Sequence, residues 1–312
     1  MNDVPWLKDQ VSFLMKKGVG ITIFKLPNGS IISRIKSIIS LRLLIRTKRY
    51  DFIHCHWGFN TIFAYNHKIP IITTYHGSDL QGVIDKSGKL IIKAYVLIFF
   101  SRLSTYISKA NIFVSERLLR SVPRKIINET NIILPMGYNE KKFRPLNKIE
   151  SKNKLGLSKK KKYVLFAGNY SQNVKGYLLA DEVMKILDES FEIIKLDYAP
   201  HDDIIDYMNS SEVLLMTSYS EGAPVIVKEA LACGLPVVST DVGDVKNLTK
   251  LYPNCFVVKT RDPQEIASLV IKSTNTKIQN LSFKGITAYT GERMNNKLYK
   301  FYRRLYVNKC HR

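Results

Sequence analysis

Between Val213 and Thr240 the chain spells out one complete crossover unit, and that unit limits the fold more than any other stretch. Val213 to Thr217 (VLLMT) is an apolar run of strand length, and Tyr219 to Gly222 has the polar and glycine character of a turn. Pro224 pre-sets the backbone for a first helical turn, and the helix is expected to run to about Cys233. Gly234 supplies the stop, and Leu235 to Thr240 (LPVVST) resumes as a buried strand. Strand, loop, helix and strand in this order make a βαβ unit, which requires a parallel sheet. Open parallel sheets bind ligands at the carboxyl ends of their strands. Glu221 therefore stands on a loop at that edge, and Glu229, eight positions later, lies on the following helix.

A carboxylate only accepts hydrogen bonds and can chelate two vicinal hydroxyls, while the free amides at a helix start attract phosphate. Ribose, hexose and diphosphate all suit such a pair. As isolated residues, Glu229 would read as a solvated helix glutamate and Glu221 as a charge complementing the helix dipole. Their neighbours change that. The order Glu221, Gly222, then Glu229 followed by ALACGLPVV, resembles the E-x7-E signature of retaining glycosyltransferases of the group 1 (family 4) type. The resemblance implies that Glu229 holds ribose hydroxyls of a nucleotide and Glu221 hydroxyls of the transferred sugar. Gly222, Ala223, Pro224 and Val225 would line the same donor site.

Two further elements carry the resemblance. Gly168, Asn169 and Tyr170, followed by Val174, Lys175 and Gly176, are similar to the family's G-R-x-x-x-x-K-G phosphate clamp, with Asn169 where Arg is common. Lys175 would stabilise the departing diphosphate, the main catalytic service in such a transfer. Thr73 to Asp79 (TTYHGSD) resembles the family's H-G-S-D element, which implies that His76 contacts the donor sugar near the reacting centre and that Gly77 permits close approach. His76, Glu221 and Lys175 are thus the expected catalytic residues. Asn169, Lys175, Gly77 and the Glu221 to Glu229 segment are the expected donor contacts. Asp79 is expected to cap the next turn. His54 and His56, flanking Cys55, would share one strand face without a third ligand at a usual spacing, so they read as structural.

Elsewhere, helical and strand patterns alternate in the manner of a doubly wound α/β fold. The N-terminal strands are expected at Ile21 to Lys25, Phe52 to Cys55, Ile69 to Tyr75, Ile112 to Ser115 and Asn131 to Pro135. LPMGYNEKKFRP (Leu134 to Pro145) resembles the family's exit from its N-terminal domain, and Tyr163 to Ala167 opens a second domain. The architecture implied is GT-B, two facing Rossmann-like domains. These are an acceptor-side domain over residues 1–147, a nucleotide-sugar domain over 148–285 and a terminal helix over 286–312 that crosses back. Asn2 to Gln10 align by character with the loop and helix that follow the family's first strand. The expectation is therefore an N-terminal domain truncated by that strand. The compact segment after the clamp resembles a bacterial subgroup serving teichuronic acid and exopolysaccharide assembly.

With 312 residues, 45% of them hydrophobic, the chain can build two domains of roughly 150 residues. The four cysteines (Cys55, Cys233, Cys255, Cys310) show no C-x-x-C spacing, which points to free thiols and the cytoplasm. Neither a signal peptide nor an apolar run of the ~20 residues that span a bilayer is evident. Lys and Arg number 48 against 26 Asp and Glu, a net charge of +22, which calls for anionic partners. No nucleic-acid motif accompanies the charge. An anionic membrane face is the other candidate, with the Lys89 to Lys109 segment either an interfacial helix or a buried one. No D-x-D stands where a metal-bound nucleotide sugar would need it, so the reaction is expected to need no metal or other cofactor. The expected partners are a nucleotide sugar and a glycan or lipid-linked acceptor, at the inner face of the cell membrane. A degraded, non-catalytic nucleotide-sugar-binding protein, a nucleic-acid-binding protein and an epimerase on the same architecture stay open as alternatives.

Overall fold

The computed structural model describes residues 5–26, 31–65, 68–85, 88–126, 130–166, 168, 173–196, 200, 202–250, 252–275 and 285–310. They form two compact units: Met1–Gly82 with Ile91–Pro135 and Met294–Arg312, and Val83–Leu90 with Met136–Arg293. The position 147 taken from sequence as a boundary falls inside the second unit.

The first unit holds a parallel sheet of β1 (Ile53–His56), β2 (Ile71–Tyr75), β3 (Ala110–Phe113) and β4 (Asn131–Ile133), in chain order. Around it lie α1 (Pro5–Lys16), α2 (Ile31–Thr47), α3 (Gly58–Ala64), α4 (Ser78–Gln81), α5 (Ile92–Ile107) and α6 (Glu116–Arg120). One face of the sheet packs Ile72, Ala110 and Ile112 against Leu14 of α1 and against Met294, Leu298, Phe301 and Leu305 of the C-terminal helix. Next to α3, Leu41 and Ile45 of α2 join Cys55, Ala64 and Ile71 in a second cluster. Residues 21–25, expected as a strand, pair with no strand. Ile21 and Phe24 are held by side-chain burial in these clusters, and the edge of β1 away from β2 carries no strand among the described residues. A strand needs a partner edge as well as a pattern.

Helix α5 packs closely on α3 and β2, and this decides which of its faces is buried. A Cβ on Gly58 would sit 2.6 Å from a Tyr75 ring carbon and 2.9 Å from the Ser101 Cβ, so only small residues fit between the helices. Ala94, Ser101, Ser104 and Thr105 accordingly point inward, and the fully buried Tyr75 hydroxyl bonds Ser104 Oγ (2.8 Å) and Asn111 Oδ1 (3.1 Å). Of the two sequence readings of this segment, the buried helix is met on one face alone. The helix is docked on its small polar face and leaves its large apolar residues outside.

The second unit holds α7 (Lys148–Lys154), β5 (Lys162–Phe166), α8 (Tyr177–Ile186), β6 (Phe191–Lys195), α9 (Ile204–Ser210), β7 (Val213–Met216), α10 (Val225–Ala232), β8 (Val237–Thr240), α11 (Val245–Thr249), β9 (Phe256–Val258) and α12 (Pro263–Asn275). Its five strands are all parallel, in the order β6, β5, β7, β8, β9. β9 was not foreseen: three residues are too few to show a period. Both sheet faces are covered by apolar clusters, so the strands read as continuous hydrophobic runs. The chain leaves β5 toward β6 on one side and returns with β7 on the other. This reversal makes the carboxyl ends of β5 and β7 the switch point of the sheet, where ligands bind in folds of this kind. The final helix α13 (Gly291–Cys310) starts in this unit, where the Glu140 carboxylate accepts from the Gly291 amide at 3.1 Å, and belongs to the first unit from Met294 onward.

Candidate active site

The carboxyl ends of β5 and β7 bring together Lys175 and Glu221, which stand 46 residues apart in the chain. Lys175 Nζ donates to Glu221 Oε1 at 2.8 Å, and Ser218 Oγ donates to the same oxygen at 2.9 Å. The two loops are laced through their backbones as well. The Tyr219 amide donates to the Val174 carbonyl (2.8 Å), and Thr217 Oγ1 donates to the carbonyls of Lys175 (3.1 Å) and Gly176 (2.9 Å). Two glycines permit this crossing. A Cβ on Gly168 would lie 2.7 Å from Lys175 Cγ, and one on Gly176, which sits at φ +66°, would lie 2.3 Å from the Thr217 carbonyl oxygen. Asn169, expected in the clamp, lies outside the described residues.

Arg261 completes the support from below. Its Nη2 donates to the Thr217 carbonyl at 3.0 Å and its Nη1 to the Ser218 carbonyl at 3.4 Å, while its guanidinium stacks 3.6 Å from the centre of the Tyr219 ring. Thr240 Oγ1 donates to the same Ser218 carbonyl at 2.6 Å. The loop that carries Glu221 is thus fixed at three consecutive residues before the carboxylate is reached.

Glu229 lies one turn into α10, whose N-cap is Pro224 in an extended conformation, rather than the first-turn proline expected from sequence. Gly234, at φ +79°, ends that segment as foreseen. Burial pushes the Glu229 carboxyl up to about 7, against the opposing charges of Lys142 and Lys228. Lys228 is itself fully buried, 3.5 Å from Asp244. Gly222 and Pro224 are buried; Ala223 and Val225 are half-buried. A Cβ on Gly243 would come within 2.9 Å of the Gly222 carbonyl, so the loop after β8 backs this turn.

In the first unit, the His-Gly-Ser-Asp loop after β2 folds around its own carboxylate. Asp79, fully buried, accepts from the amides of Gly77 (2.9 Å), His76 (3.2 Å), Leu80 (3.1 Å) and Gly58 (3.2 Å). It is a clasp between the loops after β1 and β2 rather than the simple helix cap expected, since Gly77 holds the N-cap position. Gly77 has φ +131°, a conformation that a side chain would strain. Trp57, at φ +66°, is the sole non-glycine residue with positive φ among the described residues, and its ring lies 4.8 Å from that of His76.

The histidines of β1 are structural only in part. His54 is occupied on both nitrogens, by the Tyr302 hydroxyl and by Thr74 Oγ1 at 2.7 Å. His56 Nδ1, however, lies 3.0 Å from His76 Nε2, one donating and the other accepting. Burial lowers both below the ordinary histidine range, His56 to about 4, so the pair is neutral near pH 7.

Two family models match the chain, one in each half. The family model for "Glycosyltransferase Family 4" matches residues 13–138, and that for "Glycosyl transferases group 1" matches 192–284. The chain is a group 1 glycosyltransferase. Among its curated relatives is a putative teichuronic acid biosynthesis glycosyltransferase of Bacillus subtilis, 24% identical over 78% of this chain and 67% of that one. Another is a UDP-Gal:alpha-D-GlcNAc-diphosphoundecaprenol alpha-1,3-galactosyltransferase of Escherichia coli, 25% identical over 82% and 75%. The fold is GT-B. The solved structure of Anabaena HepE in complex with UDP and glucose covers 93% of this chain and 88% of its own, with TM-score 0.69 at 14% identity.

In this transferase, local motifs named Glu221, Lys175 and His76 as expected site residues and read His56 as structural; the contacts that Ser218, Arg261 and His56 make with them were not foreseen. Arg261 acts through the backbone carbonyls of Thr217 and Ser218, reached only when the sheet is assembled, whereas Ser218 bonds the Glu221 carboxylate from three residues away. His56 comes beside His76 through the sheet register, in which its partner on β2 is Thr74, two residues before His76.

Proposed function

We propose that this glycosyltransferase moves a sugar from a nucleoside-diphosphate sugar to a hydroxyl of a lipid-linked or growing surface saccharide, with retention of anomeric configuration. The observation that carries the reading is the Lys175, Glu221 and Ser218 network at the β5 and β7 carboxyl edge, followed one helical turn along by the half-buried Glu229. Glu229 takes the ribose hydroxyls, Glu221 the hydroxyls of the transferred sugar and Lys175 the diphosphate. Binding of the donor exchanges the Lys175 and Glu221 contact for two contacts to substrate, each charge keeping a partner. Gly222, Ala223, Pro224 and Val225 supply the turn and the helix start beside the phosphates, and Asn169 with Gly77 completes the donor contacts. His76 contacts the donor sugar near the reacting carbon, a role drawn from its motif, with His56 fixing its tautomer.

The acceptor oxygen attacks the anomeric carbon on the face the diphosphate leaves. The carbon–oxygen bond to the diphosphate breaks, and the departing phosphate takes the acceptor's proton. Lys175 stabilises the charge that develops there, and no metal is assigned to the step. The names of the relatives support the acceptor class. The Escherichia coli enzyme is named for a diphosphoundecaprenol-linked sugar and the Bacillus subtilis one for teichuronic acid biosynthesis, and both favour a working transferase over a degraded one. No described helix is long and apolar enough to cross a membrane. The reading places the enzyme peripherally on the anionic inner leaflet, which the net charge of +22 favours.

The test is single-turnover transfer from a panel of nucleoside-diphosphate sugars to undecaprenyl-diphosphate-linked saccharides, with the product anomer read by NMR. Lys175→Ala should lower kcat by about 10²–10³-fold, in line with the loss of one pre-organised charge-stabilising group. An inverted product, or wild-type turnover in Lys175→Ala, would overturn the assignment.

A further inference from the structure

The outward surface of the helical layer on the first unit is apolar where a solvated layer would be charged. In α5, Ile92, Tyr95, Val96, Phe99, Leu103 and Tyr106 are all exposed, Ile92 by 86% and Phe99 by 63%. They follow one another at positions i, i+3, i+4, i+7, i+11 and i+14, one stripe of a helix. The inward side is fixed by Gly58, Ser101 and Ser104, so the helix cannot turn this stripe into its own unit without losing the α3 contact. Helix α2, which also packs on α3, repeats the pattern with exposed Ile35, Ile39 and Leu43 at four-residue spacing.

Charge complementarity identifies the occupant. Neither helix contains an acidic residue, and none occurs anywhere from Gln10 to Tyr50 or from Lys89 to Ser115. Exposed cations interleave the apolar stripes: Lys36, Arg42 and Arg46 on α2, and Lys93 and Arg102 on α5. Lys125 stands with its Nζ 5.5 Å over the Tyr106 ring. A protein partner's interface ordinarily mixes both signs of charge around its rim. Apolar and aromatic side chains set among Lys and Arg alone match the acyl and anionic headgroup layers of a bilayer surface.

We propose that the layer of α2 and α5 is a docking surface for an anionic lipid bilayer, with α5 lying in the headgroup plane and its Tyr95, Phe99 and Tyr106 rings entering the interface. The surface deepens the proposed reaction, since it would hold the enzyme where a lipid-linked acceptor resides. Its existence does not depend on which sugar is moved.

Vesicle flotation of the full chain tests it, using phosphatidylcholine alone and phosphatidylcholine mixed with phosphatidylglycerol. Binding is expected with the mixed vesicles, weakening as salt rises. Tyr95→Ser with Phe99→Ser should reduce partition by at least tenfold, and Lys93→Gln with Arg102→Gln should reduce both partition and its salt dependence. Thermal stabilisation by nucleotide sugars should be unchanged in both variants, which separates failure of the docking surface from failure of the donor site. Equal partition of wild type and both variants would overturn the proposal. So would sedimentation velocity showing a vesicle-free dimer that Tyr95→Ser with Phe99→Ser dissociates, because the face would then belong to a second copy of the chain.

Discussion

At the scale of single residues, the site sets conflicting demands on Glu229. Its folded carboxyl sits at about 7 against an ordinary value of 4.5, so between those values the folded protein holds a proton that the unfolded chain has released. Stability contributed by the protonated group is present below pH 4.5 and is lost as pH rises to about 7; above that, the buried charge is a standing cost. Glu229→Gln should therefore raise the stability of the ligand-free protein at pH 8 by on the order of 2 kcal/mol while removing donor affinity, as read by denaturant unfolding with and without nucleotide sugar. Wild-type donor affinity should fall as pH drops through about 7. The histidine cluster acts with the opposite sign. Below the ordinary value of 6.5 the unfolded state takes up protons that the desolvated rings of His54, His56 and His76 refuse, so stability falls as pH falls from there. His56→Ala should flatten that acid limb and lower kcat more than it raises KM, because His76 loses its partner. His56→Asn, which keeps a hydrogen-bonding group, should recover part of kcat.

At the scale of elements, the account rests on the lacing of the loops after β5 and β7. Gly176→Ala sets a Cβ against the Thr217 carbonyl and strains a left-handed backbone, so a loss of roughly 1–3 kcal/mol is expected along with loss of donor binding. Arg261→Ala removes the support of the Thr217 and Ser218 carbonyls without touching Lys175 or Glu221. About a tenfold rise in donor KM, larger than any change in kcat, would mark it as a positioning residue; an unchanged KM would return it to plain structure. The elements of this half were legible in the sequence. β7, α10 and β8 fall within a few residues of where VLLMT, Gly234 and LPVVST place them, because caps and buried runs are local signals. Residues 21–25 carried an equally good strand pattern and form none, because pairing depends on a neighbour that a local pattern does not reveal. The contacts of Arg261 and His56 were hidden for the same reason, being made across strands that only the assembled sheet brings together.

At the scale of the whole molecule, composition gave the sign of the partner but not its place. The +22 charge called for an anionic partner, and without a nucleic-acid motif the expectation leaned to lipid. The α5 helix adds the place: its exposed aromatic and branched side chains among the cations are what the proposed bilayer docking rests on. The same sequence, read for hydrophobicity alone, would have put those side chains inside. Gly58 and the serines of α5 reverse the orientation by allowing helices to approach only through small residues.

The central claim is the donor site, and thermal unfolding of the full chain titrated with nucleoside diphosphates and their sugars tests it most directly. A ligand at ~100 times its dissociation constant adds roughly 2.7 kcal/mol to a protein that binds it only when folded. The account predicts selective stabilisation of that size by one nucleotide sugar, abolished in Glu229→Ala and weakened in Lys175→Ala. Stabilisation that survives Glu229→Ala undiminished, or none from any nucleotide sugar, would contradict it.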